Sequence, residues 1–215
     1  MKKKYRKLPR NTDYSAYRHP RWWPTWLGIF LMWCVSRLPI RVQWWLGKLA
    51  GLLAFRLARS RRHIAEVNIR LCFPELTSAQ QSALVRKAFI ANGIGLLELG
   101  IAWFRNPAKL TGITRVHGLE HFEDALAGGK GVLLLGGHYS TLDLGGSLVT
   151  EFIEADVMQR DHNNPLMNAV MTRARERRYG TVLGARDLRG LFRSLKKNRA
   201  VWYATDQDYG RKDIV

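Results

Sequence analysis

Acidic residues are scarce in this chain. Its 215 residues include 17 Asp and Glu against 35 Lys and Arg, a net charge of +18. The shortage is local: residues 1–70 hold only Asp13 and Glu66 beside 16 basic residues, leaving +14 there and +4 in the remainder. Cysteine is almost absent. Cys34 and Cys72 sit in apolar surroundings without paired spacing, which excludes a disulfide framework or a zinc pattern and makes a reducing cytoplasm the expected setting. No low-complexity linker or internal repeat breaks the chain, and Gly-His-Tyr-Ser around Ser140 is not the Gly-x-Ser-x-Gly elbow of serine hydrolases. The charge-free run Trp22–Ser36, closed by Arg37 and Pro39, falls short of the roughly 20 residues that span a bilayer comfortably. No small-residue cleavage pattern follows it, so it reads as a retained anchor rather than a signal peptide.

Tryptophan, by contrast, is abundant. Six of the eight (Trp22, Trp23, Trp26, Trp33, Trp44 and Trp45) fall in one N-terminal span beside basic residues, a pairing that suits a membrane interface. A basic block flanking apolar segments points to anionic lipid, whereas nucleic-acid binding would call for stacking residues in a basic groove. Val42–Leu57, interrupted by Lys48 and Arg56, reads as an amphipathic surface helix. Residues 22–58 are therefore expected to form a membrane-anchoring hairpin, or an anchor plus an interfacial helix. Arg59–Leu71 continues as a basic helix ended by Pro74. Thr77-Ser78-Ala79-Gln80 has the form of a capping box, and the apolar spacing that follows predicts a helix over 78–104, continuous or broken at Gly93 or Gly95.

Beyond residue 110 short strands and helices alternate. Strands are predicted at Ile113–His117, Gly131–Gly136, Asp156–Gln159, Val182–Leu183 and Ala200–Thr205. Helices are predicted at Leu119–Leu126, Leu142–Phe152, Pro165–Tyr179 and Asp187–Lys197. That order implies an α/β fold with a mostly parallel sheet flanked by helices. The expected organisation is a basic N-terminus and membrane anchor over 1–40, interfacial and scaffold helices over 41–110, and an α/β core over 111–215.

The chemistry concentrates after the second of those strands. Gly136 and Gly137 permit a sharp turn and close substrate approach, and His138 can exchange a proton near neutral pH. Asp143 lies five positions on. It can meet His138 if Ser140 caps the following helix and Asp143 enters its first turn; the same placement also fits a carboxylate that merely complements the helix dipole. Arg160, after the strand ending at Gln159, offers a rigid fork for phosphate or oxyanion. Asn164 either contacts substrate or caps the helix starting at Pro165. Asp206 and Asp208 follow the last strand, where they can bind a cation, touch substrate or shape a turn. The arginine run Arg173, Arg175, Arg177 and Arg178 either faces an acidic partner or forms a solvated helix face.

Gly137-His138-Tyr139-Ser140-Thr141-Leu142-Asp143 resembles the His-x4-Asp/Glu motif of lysophospholipid acyltransferase-like enzymes. More narrowly, the chain resembles the late acyltransferases of lipid A biosynthesis, of the lauroyltransferase type. The likeness extends through His19–Gly28, Asn68–Glu75, Ala102-Trp103-Phe104, Asn163–Leu166, Arg186–Gly190 and Val201–Gly210. It implies transfer of a fatty acyl group, lauroyl or similar, from acyl carrier protein to a hydroxyl on a hydroxyacyl chain of a Kdo-bearing lipid A precursor, without a cofactor. In that scheme His138 is the general base and Asp143 its orienter, while Arg160, Asn164, Asp206 and Asp208 become substrate-site residues. It also implies the cytoplasmic face of the inner membrane, with acyl carrier protein, lipid A precursor and anionic lipid as partners. The family continues well past the Asp-x-Asp-Tyr-Gly block, so with Val215 five residues later the α/β core is expected to be truncated. Glycerophospholipid acyltransfer and a non-catalytic membrane-binding relative are the alternatives.

Overall fold

A computed structural model of the chain describes residues 14–206. Helix α1 (Trp23–Ser36) starts with Pro24 in its first turn, where a missing amide hydrogen costs nothing. Pro39 then sets the N-terminus of α2 (Ile40–Leu57). Ala58 alone leaves the helical region, with ψ 64°, and separates α2 from α3 (Arg59–Cys72). Pro74 follows and, as expected, no helix continues into it.

The capping box forms in full. Thr77 accepts from the Gln80 amide, and the Gln80 side chain accepts from the Thr77 amide at 2.8 Å. It starts α4 (Ser78–Phe104), one unbroken helix of 27 residues. Gly93 and Gly95 do not interrupt it because they serve packing. At Gly93 the backbones of Gly47 and Gly51 on α2 come so close that a methyl group would overlap them, and Gly95 is pressed in the same way against Ser140. Tertiary packing, rather than propensity, decides these positions.

The C-terminal half is a mixed α/β unit. It runs α5 (Leu119–Ala127), β1 (Val132–Gly136), α6 (Leu142–Val149), β2 (Ala155–Gln159), α7 (Pro165–Glu176), β3 (Val182–Gly184), α8 (Leu188–Lys196) and β4 (Ala200–Ala204). The strands form a small sheet in the order β1-β4-β2-β3, and every pairing is parallel. One sheet face packs Val132, Leu134, Ala155, Val157 and Ala200 against Tyr179 and Trp202. The other gathers Met158, Val201 and Leu183 under Leu191 of α8. A third apolar cluster joins α1, α4 and α7 through Ile29, Ala102, Trp103, Leu166 and Val170.

Two local expectations are corrected. Ile113–His117 is not a strand: Pro107–Ile113 winds into 3-10 turns and 114–118 has no regular structure. Asn106 caps those turns and the Thr111 and Thr114 hydroxyls donate to the Ala108 and Leu110 carbonyls, so hydroxyl bonding outcompetes the sheet. The helix after His138 is capped at Thr141 rather than Ser140, makes no side-chain cap bond, and ends at Val149.

Candidate active site

The register of the two parallel strands positions the site. Gly136 of β1 stands beside Ala204 of β4. Two residues past each of these strand ends lie His138 and Asp206, which meet across the top of the sheet, where open α/β folds carry their ligands. The Asp206 carboxylate accepts the His138 backbone amide at 2.7 Å and lies 2.5 Å from ring Nδ1. With Nδ1 so engaged, Nε2 is left for the reacting group. The side chains are partly open to solvent, His138 at 30% and Asp206 at 45%. The His138 amide first, and then its ring, hold the Asp206 carboxyl below the usual carboxylate range.

His138 lines a cavity of about 210 Å³ together with Asp143, Arg160, Arg175, Trp202 and Tyr203. Asp143 is in that wall but its partner is Arg175 of α7. The guanidinium places Nη2 at 2.8 Å and Nε at 3.2 Å from the same carboxylate oxygen. Arg175 also donates to Gln159 Oε1 at 3.2 Å, and Gln159 donates to the Thr172 hydroxyl at 2.7 Å. One side of the cavity is thus a fixed polar chain running from α6 through α7 to β2. The floor is aromatic: Tyr179 and Trp202 meet edge to face at 6.4 Å. Burial pushes the Tyr179 phenol up, against the lowering pull of Arg175, so it stays neutral.

The structure sorts the expected residues. His138, Asp143 and Arg160 share the cavity, and Asp206 stands behind His138. Asn164 is outside that wall. Its Oδ1 caps α7 by accepting the Leu166 and Met167 amides at 3.0 and 3.1 Å, and its Nδ2 donates to Thr25 of α1 at 3.0 Å. Asp208 lies outside the described residues. Arg175 is the functional candidate hidden in the arginine run. Its signal was the spacing from Met171, one helical turn earlier, which also faces the cavity. Arg178, from the same run, turns inward and donates to the Arg105 carbonyl at 2.6 Å.

The protein-family model for bacterial lipid A biosynthesis acyltransferases matches residues 12–215. The chain belongs to that family. A lipid A biosynthesis lauroyltransferase of Escherichia coli (strain K12) is 39% identical over 201 residues, which cover 94% of this chain and 66% of that protein. The lipid A biosynthesis palmitoleoyltransferase of the same strain is 37% identical over 196 residues, 91% of this chain and 64% of its own length. A lipid A biosynthesis acyltransferase of Haemophilus influenzae is 29% identical over 214 residues, covering 99% of this chain and 68% of the relative. The chain therefore spans about two thirds of the length of these relatives. In this chain the strand-end His138, the partly buried Asp143–Arg175 pair and the cavity-lining Arg160 bring an imidazole, a fixed polar wall and positive charge together in one place.

Proposed function

We propose that this chain is a late lipid A acyltransferase that moves a fatty acyl group, lauroyl or similar, from acyl carrier protein to a hydroxyl on a hydroxyacyl chain of a Kdo-bearing lipid A precursor. The observation that carries the reading is the His138–Asp206 pair on the wall of a cavity that also holds Arg160 and the Asp143–Arg175 pair.

The roles follow from the chemistry. A secondary alcohol is a weak nucleophile, so its proton must leave as it attacks the thioester carbonyl. His138 Nε2 takes that proton, and Asp206 fixes the ring tautomer and stabilises the imidazolium. Asp143 holds Arg175 in the cavity wall, so that the motif carboxylate acts one step back from the base. Arg160 receives the oxyanion or a substrate phosphate. The tetrahedral adduct then collapses: the carbon–sulfur bond breaks, the ester remains on the lipid, and the imidazolium returns its proton to the carrier thiolate. No covalent acyl-enzyme and no cofactor enters this scheme. Asn164 serves the site by fixing α7 against α1, and Asp208 retains its place as a substrate contact.

The N-terminal helices hold the protein on anionic lipid at the cytoplasmic face of the inner membrane, and residues 111–215 carry the chemistry. Membranes bearing the chain, supplied with lauroyl-acyl carrier protein and a tetraacylated Kdo-lipid A precursor, are expected to form the new ester. His138→Ala should abolish it while leaving the protein in the membrane fraction. Turnover that survives in this variant would remove His138 from the mechanism.

A further inference from the structure

We infer that α1 and α2 lie in the plane of an anionic membrane surface, with α1 half-inserted rather than crossing. This rests on the membrane-bound reading above and decides the geometry that reading leaves open.

Length comes first. The 14 residues of α1 rise about 21 Å, against a hydrocarbon core of about 30 Å. Among the described residues only α4 is long and apolar enough to cross a membrane, and it is packed against α1, α2, α3, α6 and α7. Packing comes second. One face of α1 is built into the protein: Ile29 is buried, with Trp22, Trp26 and Met32 around it, against Trp103 of α4 and Val170 of α7. Setting α1 across a bilayer would strip that cluster.

The other face of α1 is uncovered. Trp23, Leu27, Phe30 and Leu31 are each more than half exposed, and their spacing of four, three and one residues makes a single stripe. On α2 the buried side is Gln43, Gly47 and Gly51, the two glycines against α4, while Val42, Trp45, Leu49, Leu53 and Leu57 form an exposed stripe on the opposite side. Two exposed apolar stripes on successive helices mark an interaction face.

Charge identifies the occupant. Arg18 and Arg21 precede α1, Arg37 and Arg41 follow it, and Lys48 and Arg56 flank the α2 stripe; all six are exposed, and no acidic residue occurs between Asp13 and Glu66. A helix with arginines at both ends has both ends attracted to the same anionic leaflet. Arg37 lies over the Trp33 ring at 4.9 Å, a cation resting on an interfacial aromatic.

This platform also sets where the chemistry sits. Gly93 and Gly95 of α4 point about 200° apart around the helix axis, the first toward α2 and the second toward Ser140 beside His138. The catalytic loop is thus on the far side of α4 from α2, one helix-packing layer of about 8–10 Å inward from the helix that meets lipid.

The test is accessibility from each side of the membrane. In a background of Cys34→Ser and Cys72→Ser, the single variants Ala16→Cys and Arg41→Cys bracket α1. Both should react with a membrane-impermeant maleimide in inside-out inner-membrane vesicles and neither in right-side-out ones. Labelling from opposite sides would overturn the in-plane geometry and leave membrane association standing. Recovery of the chain in the soluble fraction at low salt would overturn both. On phosphatidylcholine vesicles doped with phosphatidylglycerol, Trp45→Glu with Leu53→Glu should reduce binding at least about tenfold. Unchanged binding of a folded double variant would remove α2 from the surface.

Discussion

Asp206 grips His138 twice, at the backbone amide and at ring Nδ1, and so fixes both where the loop sits and which ring nitrogen is free. Asp206→Asn would break this arrangement in a defined way. The amide group has one oxygen and one nitrogen, and if the oxygen keeps the backbone contact the nitrogen donates to Nδ1. That places the proton on Nε2, the atom proposed to accept the substrate proton. By analogy with the same change in a serine-protease triad, kcat should fall about 10⁴-fold with little change in KM. A loss shared equally between kcat and KM would count against a tautomer-setting role.

The lowered carboxyl of Asp206 gives this pair a pH signature. Its contribution is complete above the unfolded aspartate value of about 3.9 and is lost only as pH falls through the lower folded value. The His138–Asp206 contact should therefore persist through the ordinary carboxylate range. Histidine-ring NMR of the detergent-solubilised protein would follow it directly. A contact that titrates away at the normal carboxylate pH would contradict the geometry.

Asp143 and Arg175 are expected to act as one unit. Arg175→Lys keeps the charge but loses the fork that reaches Asp143 and Gln159 together. Asp143→Asn and Arg175→Lys should each lower kcat/KM by about 10²-fold, the lower end of what a misplaced catalytic wall costs. Because they share one interaction, the double variant should be little worse than either alone. Strictly multiplicative losses would show that the two residues work separately.

These pairings explain which parts of the site were legible in the sequence. The strand–glycine–histidine pattern at 131–138 and the Thr77 capping box were readable because their partners are local. The partner of His138 was not, since it lies 68 positions away. Spacing within one segment nominated Asp143 as the nearest carboxylate, whereas sheet order brings β4 beside β1 and aligns two equal overhangs. Arg175 was hidden for a related reason: it is one of four arginines in the run 173–178 at and just past the end of α7, and only the packing of that helix decides which points inward. At α1 the charge-free composition does not separate the two sides of the helix. Trp22, Trp26, Ile29 and Met32 complete the core with α4 and α7, and only that packing shows which side is left uncovered.

Asp156 and Arg199 hold the sheet together beneath the site. Asp156 is fully buried on β2, and Arg199, just before β4, meets it with Nε at 2.9 Å and Nη2 at 2.6 Å. Burial alone would raise the Asp156 carboxyl, but hydrogen bonds from Arg199 and Ser194 and the Arg199 charge outweigh it and leave it lowered. Breaking such a pair leaves a charge without its partner. Since the Arg199 side chain is about one-third exposed, solvent reduces that penalty, and Asp156→Asn should cost about 2 kcal/mol. The difference should be full above the unfolded aspartate value and disappear as pH falls through the lowered folded one. Thermal melts of both proteins at neutral and strongly acidic pH test this. A gap that does not narrow in acid would mean that the ion pair is not its source.

Two glycines of the helical half should respond in opposite directions to the same substitution. Gly28 on α1 has open space where a methyl would go, whereas Gly93 on α4 has the backbone of α2 there. Gly28→Ala should therefore stabilise by up to about 1 kcal/mol through helix propensity alone. Gly93→Ala gains the same propensity but forces α2 away from α4, and overpacking of this kind costs about 1–3 kcal/mol. Displacing α2 also disturbs Trp44, whose indole donates to the buried Glu98 of α4 at 3.1 Å. The net effect of Gly93→Ala should be a lower Tm, accompanied by a change in tryptophan emission that Gly28→Ala does not produce. If both variants melt at or above the wild-type temperature, the close contact between α2 and α4 is not what holds α2 to the rest of the protein.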